Sequence, residues 1–355
     1  MPLKGKKVFV AMSGGVDSSV SAALLKEAGA SVTGVFIKAW QPKFAECDWQ
    51  NDKRDAMRVA AILGIPFLVF DLEKEYKKNV VDYMFREYKA GRTPNPDAMC
   101  NQTIKFWAFY ERARKAGAEY IATGHYARTR KGEKGYELLA GTDKNKDQSY
   151  FLWGIRKSLL SRILFPVGGI EKDEVRKIAS RLKLPVARKK ESQGLCFVGK
   201  LDFKEFLKAH LPAKRGEVRD VRGSVIGHHE GALFYTIGER HGFIITEKTP
   251  HDTPYYVVEK DVRKNVLVVS HTKRAGSSFS RKIFISNINW LGAPPKEKVR
   301  YLARTRYRQP LAPCTLKKAK GGYYAVFNKA QESISPGQSL VVYDNDVCLG
   351  GGVIL

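Results

Sequence analysis

The chain has 355 residues, 43% of them hydrophobic and 28% charged, long enough for two or three domains with cores of their own; neither a disordered chain nor a mini-protein fits. Lys and Arg number 62 against 36 Asp and Glu, a formal net charge of +26 that exceeds what solubility requires and points to a polyanionic partner. Five cysteines in this length exclude a disulfide framework of the secreted type and indicate a reducing compartment.

Lys4, Lys6 and Lys7 precede an apolar run over residues 8–12, but that run is too short for a signal-peptide core and meets glycines at once, so no export is expected. Nothing approaches the ~20 apolar residues of a membrane helix. The positive charge is spread along the chain and not gathered in one amphipathic helix, which favours nucleic acid over a membrane surface and the cytoplasm as location.

The pattern predicts a buried strand over 7–12, a helix over 16–28 ended by Gly29, and a strand over 31–37. A helix over 52–63 and a strand over 65–70 repeat the alternation, as do a helix over 103–116 and a strand over 119–123. A further helix is expected over 171–182. Strands alternating with helices imply an α/β domain with a parallel sheet, taken here as residues 1–205. A helix over 202–210 and then short runs broken by glycine and proline, among them 232–245 and 255–258, give a small mixed central domain over 206–277. Runs at 282–288, 298–304, 323–327 and 339–343 are spaced as in a C-terminal antiparallel β-barrel over 278–355, with Gly350, Gly351 and Gly352 bending its last strand.

Between the first strand and first helix lies Ser13-Gly14-Gly15-Val16-Asp17-Ser18, where backbone N–H groups and the helix dipole converge on an anion. A Walker A loop has a lysine before its Ser or Thr; here Asp17 stands at the helix start and would repel phosphate unless Mg²⁺ intervened, so Asp17 reads as an indirect metal contact. The loop resembles the PP-loop of the N-type ATP pyrophosphatases, which cleave ATP between the α and β phosphates.

Cys100 follows the proline-bounded stretch Asn95-Pro96-Asp97 at the entrance of the helix expected near Thr103. There the dipole and Lys105 favour its thiolate, and Asp97 is three residues away, in reach of a base's role. Cys196 lies in a glycine-broken loop after Lys189 and Lys190, which lower its pKa. Cys47, Cys314 and Cys348 lack such surroundings and read as structural. No CxxC or HExxH pattern is present, so no metal site is assigned. Arg304, Arg306 and Arg308 alternate, so on a strand they would share one face and follow a phosphate backbone, with Tyr307 on the other; Arg188, Lys189 and Lys190 are a second basic run.

SGGVDS, GRTPNPDAMCN, ATGHYAR, KDQSYFL, ESQGLCF, LFYTIGERHG, ARTRYRQ and SPGQSLVVYD occur in the order found in the tRNA-specific 2-thiouridylases of the MnmA/TrmU type, and the resemblance spans essentially the whole chain. It implies ATP-dependent 2-thiolation of the tRNA wobble uridine, through adenylation of the C2 oxygen and sulfur transfer from a cysteine persulfide. By resemblance Ala11, Met12, Ser13, Gly14, Gly15, Val16, Asp17 and Ser18 hold ATP, with Ile37 and Gly124 lining the nucleotide; a glycine at 124 also leaves room for a ring at the sheet edge. Cys100 acts on the base beside Asn95, Pro96 and Asp97, and Cys196 carries the persulfide. His125, Lys146, Asp147, Gln148, Arg306, Tyr307 and Gln338 match positions that touch tRNA. ATP and Mg²⁺ are the implied cofactors, tRNA (its anticodon arm, with lysine, glutamate and glutamine tRNAs expected) and a cysteine desulfurase or sulfur-relay protein the implied partners. The chain departs from the family after His241-Gly242, where Phe243-Ile244-Ile245-Thr246 replaces a glycine-rich continuation, and in the compact segment 41–50.

Three other readings compete. An amide-forming PP-loop synthetase needs no pair of reactive cysteines, and a non-catalytic RNA-binding protein needs neither these nor an intact SGGVDS. In a third, Asp97, Cys100 and Cys196 hold an iron–sulfur cluster that handles sulfide, three protein ligands leaving one iron open.

Overall fold

A computed structural model describes residues 3–42, 49–190, 203–246 and 253–355. Cys47 and Cys196 lie outside the described residues, as do 43–48 of the compact segment.

The strands β1 (Lys7–Ala11), β2 (Ser31–Lys38), β3 (Phe67–Asp71), β4 (Tyr120–Ala122) and β7 (Ile163–Leu164) form a parallel sheet in the order β3-β2-β1-β4-β7. Val8 and Val10 on one face of β1 are wholly buried and Phe9 on the other is buried in a separate cluster, as expected of a strand covered on both faces. Burial of such a side chain is worth ~1.5–3 kcal/mol. The helices α1 (Val16–Glu27) and α2 (Trp49–Ile62) alternate with β1 to β3, and Val16, Val20, Ala56 and Val59 pack with Val8 and Val10 in one cluster. The expected α/β unit is present, and its central strand ends at the glycine loop.

Between β4 and β7 the chain makes a hairpin, β5 (Ala127–Gly132) and β6 (Gly135–Ala140), that the sequence pattern did not mark. It leaves the parallel sheet and pairs with the last strand of the chain. Beyond the helix Phe203–Lys208, the strands β8 (Gly216–Arg219), β9 (Val225–His229), β10 (Ile244–Ile245), β11 (Tyr256–Asp261) and β12 (Val266–Ser270) form a mixed sheet in the order β10-β9-β8-β12-β11. The strand-like run expected over 232–245 is mostly a 3₁₀ turn, Ala232–Phe234, and loop; only Ile244–Ile245 pairs, against β9, which is how the sequence departure after Gly242 is accommodated.

The strands β13 (Ser280–Trp290), β14 (Arg300–Arg304), β15 (Ala312–Ala319), β16 (Gly322–Gln331), β17 (Ser339–Asp344) and β18 (Val347–Ile354) run antiparallel, and β13 pairs with both β16 and β18, closing a six-stranded barrel. Its interior is Ile283, Ile285, Cys314, Leu316, Phe327 and Leu340 among others. Cys314 and Cys348 are buried, and desolvation pushes each thiol up to about 12, in keeping with the structural role expected of them. β6 extends the barrel sheet through β18, so the N-terminal hairpin ties the parallel-sheet unit to the barrel.

Candidate active site

The glycine loop closes on itself. Ser13 N–H donates to Ser18 Oγ at 3.1 Å, and Ser18 and Ser19 hydroxyls donate to the Gly15 carbonyl at 3.2 and 2.8 Å. Gly15 is extended and no side chain caps α1, so the helix presents its first-turn amides without an internal acceptor, the condition for holding an anion. Gly14 has φ +76°, and a Cβ there would meet the Asp52 carbonyl at 2.3 Å; the loop is pressed under the first turn of α2. Gly124, just after β4, packs directly on this loop: a Cβ there would lie 2.6 Å from Ser18 N, so only glycine lets the two segments meet.

Asp17 is not left facing an anion alone. Lys172 Nζ donates to both its carboxylate oxygens, at 2.6 and 2.8 Å, and Tyr126 Oη donates to one of them at 2.8 Å. Lys189 is likewise committed, to Asp52 and Asp55 at 2.8 and 2.6 Å, so this lysine of the second basic run braces α2.

The cysteine helix begins at Pro96, seven residues before the expected start. Asn95 is its N-cap, accepting the Ala98 N–H at 3.1 Å, Pro96 occupies the first turn, and Asp97 lies at the positive end of the dipole. Pro96 thus opens the helix where it was read as bounding a loop. The segment Pro96–Cys100 continues into the π-helical turns Asn101–Ala108 and then Phe109–Lys115. Cys100 is one turn past Pro96 and Asp97 on the same side, 8% exposed and packed in the core. Being inside the helix and not at its entrance, it gains less from the dipole than the sequence reading assumed.

Beside this helix start is a cavity of about 260 Å³ lined by Pro94, Asn95, Pro96 and Asp97, by Tyr88, Tyr150, Phe151 and Phe203, and by Tyr307 and Gln338 from the barrel side. Five residues expected at the base or the tRNA meet here: Asn95, Pro96, Asp97, Tyr307 and Gln338. Gln338 Nε2 donates to the Thr93 and Pro94 carbonyls at 2.9 and 3.1 Å, which fixes the barrel against the cavity floor. Tyr307 and Phe151 lie 4.6 Å apart between ring centres, and the Tyr150 hydroxyl donates to the Ser339 carbonyl at 2.9 Å, so the aromatic wall is braced from behind. Asp97 is solvent-accessible yet crowded by protein within a concave site; desolvation raises its carboxyl above the usual value, with Lys105 opposing. Tyr88, Tyr150, Phe151 and Phe203 were not singled out in the sequence, although Tyr150 and Phe151 stand inside the KDQSYFL block.

The remaining tRNA-matched residues divide. His125 is buried between Phe106 and Phe165, bonded through Nδ1 to Thr123 Oγ1 at 2.8 Å; desolvation, then Lys105, holds it neutral, so its ring is an internal support. Gln148 Oε1 accepts the Tyr126 N–H at 2.9 Å, and Lys146 sits half-buried beside it. Asp147 is 6% exposed and bound to Arg304 at 2.6 Å, so its carboxylate is committed within the protein. The arginine stripe is absent. β14 ends at Arg304, which is buried; Arg306 follows in a turn and donates to the Ile237 carbonyl, and Arg308 has φ +62°. A strand's alternation cannot be extended past its last ladder pair.

Family models match in three consecutive parts: a "tRNA methyl transferase HUP domain" over residues 6–200, a "tRNA methyl transferase PRC-barrel domain" over 204–271 and an "Aminomethyltransferase beta-barrel domain" over 280–354. The chain is 47% identical over 353 residues to the "tRNA-specific 2-thiouridylase MnmA" of Pseudomonas aeruginosa (strain LESB58), covering 98% of this chain and 94% of the relative. It is 47% identical over 352 residues to the protein of the same name from Pseudomonas entomophila (strain L48), with the same coverage. Among solved structures, "U34-tRNA thiolase NcsA from Methanococcus maripaludis with its [4Fe-4S] cluster" is similar with a TM-score of 0.36 and 19% identity, over 58% of this chain and 65% of that one.

Proposed function

This chain belongs to the tRNA-specific 2-thiouridylase family, and from that premise we propose that it converts the wobble uridine of tRNA to 2-thiouridine with ATP and a persulfide sulfur. The observation that carries the reading is the single cavity where Asn95, Pro96, Asp97, Tyr307 and Gln338 meet, one helical turn from Cys100. Its aromatic wall of Tyr150, Phe151 and Tyr307 suits a flipped base, which stacks on such side chains once it leaves its own stack.

In this reading the loop 11–18 holds the triphosphate on the first-turn amides of α1, with Ile37 and Gly124 at the nucleotide. Mg²⁺ neutralises phosphate charge when bound; because Lys172 engages both Asp17 oxygens, Asp17 would meet it through water and phosphate and not by direct ligation. The uridine O2 attacks the α-phosphorus as N3 gives its proton to Asp97, the bond to the β-phosphate oxygen breaks, and pyrophosphate leaves. The terminal sulfur of the Cys196 persulfide attacks C2, the C2–O bond breaks, and AMP departs. Cys100 thiolate then attacks Cys196 Sγ: a Cys100–Cys196 disulfide forms, the bonding pair passes to the sulfur on C2, and the proton returns to N3. In the other order Cys100 attacks the persulfide first and hydrosulfide adds to C2; both orders end in the same disulfide, which an external dithiol reduces. The sulfur comes from a cysteine desulfurase or relay protein, the tRNAs are those for lysine, glutamate and glutamine, and the location is the cytoplasm; no helix among the described residues is long and apolar enough to cross a membrane.

Asp97→Asn is expected to slow AMP formation by ~10²-fold or more, the scale of a lost general base. In the wild type the rate should fall on acidification at a pH above the ordinary carboxylate range, because the raised carboxyl must be ionised to accept the proton, and this limb should be absent from Asp97→Asn. A variant with near-normal rate removes Asp97 from the mechanism.

With a net charge of +26, tRNA binding should be strongly salt-dependent: for six or more phosphate contacts, affinity falls about 10³-fold between 50 and 200 mM salt. Filter binding over that range measures it. A flat profile contradicts a phosphate-led interface.

A further inference from the structure

The nucleotide loop carries an acid where its ligand carries charge. Asp17 lies in the first turn of α1, and a bare carboxylate there opposes the dipole's attraction for a triphosphate. The counter-charge comes from 155 residues away. Lys172, the first residue of the helix Lys172–Arg181, is 6% exposed and spans both oxygens of Asp17 at 2.6 and 2.8 Å. Its backbone N–H donates to Asp143 Oδ2 at 3.1 Å, and the Tyr126 hydroxyl donates to Asp17 Oδ1 at 2.8 Å, so both partners are fixed. Val175, Ile178 and Ala179 of the same helix share a core cluster with Val16 and Val20 of α1, which sets the distance between the two helices. A buried ammonium is costly without its partner, and so is the carboxylate it faces. The loop thus has its cation, but the cation rests on the acid where a Walker lysine would rest on the phosphate.

We infer that Lys172 is a positioning residue of the nucleotide loop: acting through Asp17, it cancels and orients that carboxylate so that the first-turn amides of α1 accept a triphosphate. The inference rests on reading residues 11–18 as the ATP loop. It has a consequence that simple packing does not share. Removing the lysine must matter only while Asp17 is charged.

The test is calorimetric titration of the full chain with Mg-ATP in five proteins: wild type, Lys172→Met, Lys172→Arg, Asp17→Asn and the double variant Asp17→Asn/Lys172→Met. Lys172→Met, which keeps the side chain's bulk, should weaken binding about tenfold or more in the wild-type background and less than about twofold in the Asp17→Asn background. Lys172→Arg should stay within about threefold of wild type, since it keeps the charge at Asp17. Damage to helix packing would lower affinity in both backgrounds alike, so the double variant separates it from the charge effect. Equal loss in both backgrounds, or no loss in the wild-type one, overturns the inference while leaving the ATP reading intact. Failure of the wild type to bind Mg-ATP overturns the ATP reading itself, and the inference with it.

Discussion

Cys100→Ser is expected to abolish thiolation, by ~10³-fold or more, while leaving Mg-ATP affinity unchanged. The serine fits the same core site, one turn from Asp97, and Cys100 belongs to a different core cluster from Met12 and Val16 of the glycine loop. What it removes is the thiolate that opens the Cys196 persulfide or resolves the Cys196–S–C2 link, and a hydroxyl forms no disulfide. Cys196→Ser should be equally inactive for a different reason: no sulfur is ever loaded. The two variants separate in a single turnover with persulfide-loaded protein. Cys100→Ser can carry radiolabelled sulfur and Cys196→Ser cannot. Sustained turnover by Cys100→Ser with a persulfide donor would eliminate the disulfide-forming step.

The second large effect concerns stability. Arg304→Met should lower the thermal midpoint by about 10 °C, because breaking a buried ion pair from one side costs ~3–5 kcal/mol. Arg304 donates to Asp147 Oδ2 at 2.6 Å and to the Tyr343 hydroxyl at 2.9 Å, and both charged side chains are less than a tenth exposed. Burial opposes the charge on Arg304, but Tyr343 and Asp147 together outweigh it and raise its pKa. The other Asp147 oxygen accepts the Gly141 and Ser149 amides at 3.0 Å, so the pair anchors to the barrel the turn that carries Tyr150 and Phe151. In Arg304→Met that carboxylate is stranded. The double variant Asp147→Asn/Arg304→Met should recover part of the loss, since no uncompensated charge remains. A melting curve for Arg304→Met that superimposes on the wild type would show that the pair does not hold the two parts together.

The glycine loop was legible in the sequence because its determinants are local: strand, SGGVDS and helix follow one another, and the structure keeps them in that order. The closed barrel was legible from its strand spacing, although β15 and the added hairpin β5–β6 were not marked. The expectations failed where a local signal has two meanings or where a neighbour distant in sequence decides the outcome. Asn95-Pro96 is both a turn signal and a helix start, and only the Asn95 cap on Ala98 distinguishes them. The alternation of Arg304, Arg306 and Arg308 suggested a stripe, yet Asp147 and Ile237 draw the first two arginines inward. No spacing rule brings Tyr88, Phe151, Phe203 and Tyr307 to one cavity. Lys172 carried no motif at all, since its meaning depends on Asp17.

The central claim, ATP-driven transfer of a Cys196-borne sulfur to a tRNA uridine, is tested most directly by mass spectrometry of nucleosides from unmodified tRNA. The tRNA is incubated with the protein, Mg-ATP and a persulfide source, with Cys196→Ser and ATP omission in parallel. The account predicts a 2-thiouridine peak in the complete reaction only, matched by one AMP per thiolated base. A 2-thiouridine peak that persists with Cys196→Ser or without ATP would contradict it, as would a complete reaction that yields neither 2-thiouridine nor AMP.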